Sequence, residues 1–198
     1  MAEHRVVAAV YDAFMWPQEV LFLRGQRARA AGPAVGRVLE IGVGTGLNLP
    51  YYDQADELVG VDPDPHMLRR AARRVAEAAR CPVELTEAGA ESLPFDDDAF
   101  DTVVSTLSLC TIPDPEAEVR EARRVLKDTG RFVFLEHVRS DRRALGALQD
   151  LATPLWRHVS GGCHWNRRSV DTIEREFELE RLFARGIFVQ GSARPRAS

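Results

Sequence analysis

The densest run of chemistry-bearing residues is Leu39-Glu40-Ile41-Gly42-Val43-Gly44-Thr45-Gly46-Leu47-Asn48. The apolar stretch Val35 to Val43 reads as a buried strand running into this glycine-rich turn, with a helix expected after it. Glycines at this spacing permit a tight turn and let a ligand come close to the backbone. The pattern is GxGxG; it is neither the GxGxxG of dinucleotide binders nor a P-loop with its lysine. A close-packed turn beside the acidic Glu40 suits a ligand carrying positive charge better than one carrying phosphates. Asp62 closes a second apolar strand, Leu58 to Val61, 22 residues after Glu40. A carboxylate at that separation accepts hydrogen bonds from a ribose diol. It can equally cap the helix that follows, a role for which Asp64 is also placed. Together the turn and the carboxylate point to a nucleoside-binding fold.

Such residues meet only if strands carry them to one edge. After the two strands named, an amphipathic helix is expected over 65–80, then strands at Val83 to Leu85 and Phe100 to Leu109. A helix over 114–127 buries Val119, Ala122, Val125 and Leu126, and Gly130 follows its end. A fifth strand spans Arg131 to Val138. Asp141 is expected to cap a helix carrying Leu145, Leu148, Ala152 and Leu155 on one stripe. Residues 169–177 read as helix and 178–194 as an antiparallel pair, because the link is too short for a crossover helix. The fold class is therefore α/β: a doubly wound, seven-stranded, mostly parallel sheet with one antiparallel strand and helices on both faces. Ligand is expected at the carboxyl ends of its strands.

Composition narrows the function. The 198 residues suit one domain, and 45% hydrophobic with 28% charged residues is ordinary for a globular chain. A formal charge of −4 argues against a dedicated nucleic-acid binder. No stretch approaches the ~18 apolar residues of a membrane-spanning helix, and the first ten residues lack a signal-peptide pattern. Cys81, Cys110 and Cys163 are far apart, without CxxC pairing, and adjacent Cys163-His164 is weak evidence for a metal site. A cytoplasmic location and no metal are the expectations.

Five blocks, LEIGVGTGLN (39–48), VGVDPDPHML (59–68), GAESLPFDDDAFD (89–101), STLSLCTIPDP (105–115) and EARRVLKDTGRFVFLEHV (121–138), resemble the class I S-adenosylmethionine-dependent methyltransferases. The likeness runs from about residue 36 to the end of the chain. It implies a cofactor core over 36–138, N-terminal lid helices over 1–31 and acceptor-side elements over 139–198. By that resemblance Glu40, Gly42 and Gly46 line the methionine end of S-adenosylmethionine, Gly44 and Asn48 also bind the cofactor, and Asp62 holds the ribose. Pro63 and Met67 flank the adenine, Ala90 and Glu91 meet its edge, and Leu107 lies by the donor sulfur. Many relatives carry an acid directly before the Ala-Glu pair; here it is Gly89, which leaves Glu91 or backbone carbonyls to meet the adenine amino group. Tyr11 and Met15 resemble lid residues, and helix packing is their equal alternative.

For the acceptor, the strand-end pair Glu136-His137 offers a base, with His137 the candidate catalytic residue; a histidine satisfied by backbone contacts is the competing reading. Trp156 and Trp165 are placed to line an apolar pocket or to serve as core. The combination of STLSLCTI, LEHV and GGCHWNR looks closest to the alkyl thiol methyltransferase branch and its small bacterial relatives. That resemblance implies S-methylation of a small, fairly apolar thiol. Phosphatidylethanolamine or a quinone-type ring is the alternative acceptor, and a non-catalytic cofactor-binding module a further one. Arg24, Arg27 and Arg29 are placed either to touch anionic lipid or to be solvated.

Overall fold

The computed structural model describes residues 19–160 and 162–196. Tyr11 and Met15, the expected lid residues, lie outside the described residues. A π-helical turn, Glu19–Leu23, runs into α1 (Arg24–Ala31). Then follow β1 (Gly36–Ile41), a 3-10 turn (Leu49–Tyr51), β2 (Ala55–Asp62), α2 (Pro65–Ala78), β3 (Val83–Glu87) and β4 (Phe100–Thr106). The second half holds α3 (Pro115–Val125), β5 (Leu126–His137), α4 (Arg143–Val159), α5 (Ser169–Ile173), β6 (Phe177–Arg185) and β7 (Phe188–Pro195).

The seven strands form one sheet in the order β3-β2-β1-β4-β5-β7-β6. The first five are parallel; β7 runs antiparallel to both β5 and β6. The strand order reverses between β1 and β4, and in open α/β sheets the carboxyl ends at such a reversal are where ligands bind. Parallel strands covered on both faces read as continuous apolar runs, which accounts for Val103, Val104 and the Phe-Val-Phe-Leu of β5. Leu39, Ile41, Val103, Phe132 and Phe134 pack under α3, with Val119, Ala122 and Val125. Val38, Leu58, Val104, Val133 and Leu135 face the other way, against Ala30 and Ala31 of α1.

Three local expectations are corrected. No α-helix follows the glycine turn: one 3-10 turn, with Pro50 in its first turn, fills the short link before β2. Asp141 does not cap α4; Arg142 precedes that helix with no side-chain cap, and its amide donates to Ser140 Oγ. The α4 leucine stripe is not buried, since Leu148, Leu151 and Leu155 are 56%, 80% and 76% exposed. The inward face carries Gly146, Gln149 and Thr153 instead. Gln149 explains this choice: its amide accepts from Ser140 N and donates to the carbonyls of Val138 and Trp165. Three bonds to the end of β5 and to the loop after α4 fix the polar side of the helix inward.

Candidate active site

The carboxyl ends of β1, β2, β4 and β5 bring the predicted residues to one edge. At the end of β1 the turn is held by Gly42, Gly44 and Gly46, all at positive φ. A side chain at Gly42 would strike Ser108 Oγ, and one at Gly46 would strike Leu49. At Gly44 it would meet only the Gly42 carbonyl, 3.9 Å away, so this glycine faces open space where a ligand can approach. Asp62, at the end of β2, braces the turn: its Oδ2 accepts from Gly44 N at 3.0 Å and its Oδ1 from Asp64 N at 2.9 Å. Asp64 in turn caps α2 by accepting from His66 N. Each Asp62 oxygen keeps a second lone pair for a ligand hydroxyl. Burial raises its pKa above the ordinary value, and the two backbone donors work against that rise.

Glu40 lies beneath the turn on the α1 side, fully buried. Asn48 Nδ2 donates to its Oε1 at 2.7 Å and Tyr52 Oη to its Oε2 at 2.9 Å. Arg27 extends the network, donating to Asn48 Oδ1, Thr106 Oγ1 and Glu19. Burial raises Glu40 to a pKa of about 7 against the opposing pull of Tyr52, Asn48 and Arg27. Arg27 is thus buried, which corrects its reading as a solvated or lipid-facing residue, while Arg24 and Arg29 are exposed. Arg27, Tyr52 and Thr106 went unforeseen; the only trace was an arginine on the same side of α1 as Ala30 and Ala31.

The adenine-side candidates follow the ends of β2 and β3: Pro63 is exposed, Met67 half-buried in the first turn of α2, and Ala90 buried. Glu91 Oε2 lies 3.2 Å from where a Cβ on Gly89 would stand. The carboxylate of Glu91 therefore fills the space next to the position where many relatives carry their acid.

Leu107, just past β4, takes a φ of 57°, a conformation costly for leucine. Its amide donates to the Leu135 carbonyl at 2.7 Å, which ties the strained residue to β5. Strain of this kind persists where surrounding bonds over-determine it, as at binding sites.

Glu136 and His137 end β5 side by side and part company, because successive strand residues face opposite ways. Glu136 is turned into the core under α3 and fully buried. It accepts from the amides of Ser108, Leu109 and Cys110, so it clamps the loop after β4. Burial lifts its pKa to about 7 in spite of these donors. With Ser105 Oγ as a further donor, its oxygens are engaged within the core. His137 faces the other side, its ring 4.5 Å from that of Phe188. Its Nδ1 lies 3.7 Å from Cys110 Sγ and 3.5 Å from Cys163 Sγ, and the two sulfurs are 3.4 Å apart. The neighbouring Cys163 sulfur and burial push the Cys110 thiol well up, while the bond with Cys110 draws Cys163 down. Trp156 and Trp165 stack on each other with ring centroids 4.9 Å apart. His164 stays outside the cluster, its amide bound to the Cys110 carbonyl.

Comparison with known proteins places this edge in context. A family described as a methyltransferase domain matches residues 39–134. A phosphatidylethanolamine N-methyltransferase of Cereibacter sphaeroides is 42% identical over 142 residues, 71% of this chain and 70% of that protein. The thiol S-methyltransferase TMT1B of Rattus norvegicus is 33% identical over 150 residues, 72% of this chain; the chain spans 62% of that enzyme's length. Among solved structures, the YcgJ protein of Bacillus subtilis has a TM-score of 0.61 at 26% identity, over 81% of this chain and 70% of that one.

Proposed function

Since the chain belongs to the S-adenosylmethionine-dependent methyltransferases, we propose that it methylates a small, apolar thiol. The cofactor is S-adenosylmethionine, which supplies a sulfonium methyl group and leaves as S-adenosylhomocysteine. The residues present suit that group. Gly44 opens on free space, Asp62 keeps acceptor capacity for a diol, and Glu91 occupies the ground beside Gly89.

The observation that carries the thiol reading is the character of the β5 end. His137 stands among Phe188, Cys110 and Cys163, and the adjacent carboxyl of Glu136 is consumed by backbone amides. Methyl transfer needs the acceptor held about 3–3.5 Å from the carbon in line with the leaving sulfur. A thiol, with a pKa of about 8.5, is partly ionised at neutral pH and needs little help from a base. An ammonium must first shed a proton, and with Glu136 bound to backbone amides the strand end leaves only His137 for that task, a demand that a thiol makes less strongly. His137 then orients the acceptor or receives its proton.

A second reading has its own support. The exposed Leu148, Leu151 and Leu155 of α4 form an apolar stripe flanked by exposed Arg142, Arg143 and Arg157. Leucines on one side with arginines at the ends suit shallow contact with an anionic bilayer. The identity to a phosphatidylethanolamine N-methyltransferase points the same way. No helix among the described residues is long and apolar enough to cross a membrane.

Release of S-adenosylhomocysteine, measured with aliphatic and aromatic thiols beside matched alcohols, amines and phosphatidylethanolamine vesicles, separates the two. Turnover confined to thiols is expected; turnover on the vesicles alone would hand the assignment to the lipid. In the same assay His137→Ala is expected to lower turnover while cofactor affinity stays nearly unchanged. Unaltered turnover would remove His137 from the reaction.

A further inference from the structure

Cys110, His137 and Cys163 come from three separate segments: the loop after β4, the last residue of β5 and the loop after α4. Their Sγ, Nδ1 and Sγ atoms form a triangle with sides of 3.4, 3.5 and 3.7 Å. Around a tetrahedral zinc ion, Zn–S of about 2.3 Å and Zn–N of about 2.0–2.1 Å put two sulfurs about 3.8 Å apart and sulfur and nitrogen about 3.6 Å apart. The two sulfur–nitrogen sides match that geometry closely. The sulfur–sulfur side is shorter by about 0.4 Å, an opening that small side-chain rotations supply. We propose that Cys110, His137 and Cys163 form a Cys2His site for zinc(II) or a similarly soft divalent ion, with the fourth position left to water or a solute donor.

The donor set favours this class of ion. Two thiolates and an imidazole select zinc-like metals over magnesium or calcium, which require oxygen ligands. The nearby carboxylate that would offer oxygen, Glu136, is directed to backbone amides. Two thiolates also neutralise a dication, which lowers the cost of holding it where Cys110 and Cys163 are 1% and 6% exposed.

The same bonds that fix the loops around the cluster hold its three residues in place. Glu136 clamps the amides of residues 108–110. Arg167 donates to the Ile112 carbonyl, and His164 N donates to the Cys110 carbonyl at 2.6 Å, which fixes the two cysteine loops against each other. Ser169 Oγ donates to the His137 carbonyl. Such outer bonds are what orient metal ligands. Ligands separated by 27 and 26 residues along the chain leave no CxxC signature, so the site is invisible to motif reading. The site shares His137 with the acceptor edge of the proposed function, so its test is read without turnover and the two readings can fail separately.

The test is metal binding by the reduced, full-length protein, independent of turnover. Cobalt(II), used as the spectroscopic probe, is expected to bind at one equivalent with thiolate-to-metal charge-transfer bands and intense tetrahedral visible bands that zinc(II) bleaches. Cys110→Ser and Cys163→Ser are each expected to lose the charge-transfer signature, His137→Ala to weaken binding, and Cys81→Ser to leave it intact. A measurement on the unmutated protein guards against variants that fold poorly: over an incubation long enough for the buried Cys110 and Cys163 of the metal-free protein to react, zinc should shield both, but not Cys81, from alkylation, and a chelator should undo this. Absence of the bands, their survival in both serine variants, or equal alkylation with and without zinc would overturn the proposal. So would blocking of Cys110 and Cys163 that only a reductant relieves, since that marks a disulfide.

Discussion

Asp62→Ala is expected to weaken S-adenosylmethionine binding by about 1–3 kcal/mol, roughly 5- to 150-fold. Two losses combine. The ribose hydroxyls would lose a charged acceptor, the role the resemblance gives this residue. The turn would lose the brace between Asp62 Oδ2 and Gly44 N, and with it the shape of the glycine that faces open space. Asp62→Asn keeps one side-chain oxygen and should fall between the alanine variant and the natural protein. Calorimetric titration with S-adenosylmethionine and S-adenosylhomocysteine reads both, and an alanine variant that binds with undiminished affinity would sink the ribose assignment. A thermal melt of the same variants separates the terms, because the brace contributes to stability without ligand and the ribose bonds do not.

The second large effect is a decline in stability as pH rises through neutrality. Glu40 and Glu136 are both buried and both carry pKa values raised from 4.5 to about 7, with desolvation the leading cause. A carboxyl whose folded pKa lies above its unfolded one stabilises the fold through its protonated form. That contribution is complete below about pH 4.5 and is lost as pH climbs through about 7. A shift of this size corresponds to about 3 kcal/mol for each residue, taken as an upper bound. The midpoint of thermal unfolding, followed from pH 5 to pH 8.5, should therefore fall more steeply for the natural protein than for Glu40→Gln or Glu136→Gln. Glutamine mimics the neutral acid and does not titrate. Parallel pH profiles for the natural protein and both variants would show that the two carboxyls ionise without consequence for the fold.

These two carboxyls also mark how far local sequence reaches. Each stands one residue before the end of an apolar strand, and alternation along β5 dictates that Glu136 and His137 face opposite ways. Which of them faces the core depends on what covers each side of the sheet. Under α3, Ser105 and the amides of residues 108–110 receive Glu136; on the other side, Phe188 of β7 receives His137. Phe188 opens β7, 51 residues after His137 and antiparallel to β5, so no short window around His137 contains its neighbour.

Local sequence was enough for the strands, for the helix that starts at Pro65 and for the glycine turn, though not for the helix expected after that turn. The apolar runs Val38 to Ile41, Leu58 to Val61 and Phe132 to Leu135 are strands wherever they are packed. Asp64 before Pro65 starts a helix by local capping, and the glycine turn needs positive φ whatever surrounds it. Short-range sterics and hydrogen bonds settle all of these. Tertiary structure decided the rest: Arg27 buried against Asn48 and Thr106, the α4 leucines turned outward by the bonds of Gln149, and two cysteines brought beside one histidine across 53 residues. Each of those is a choice between faces or between partners, and only the packing of distant segments, burying apolar area while pairing most of the polar groups it covers, makes that choice.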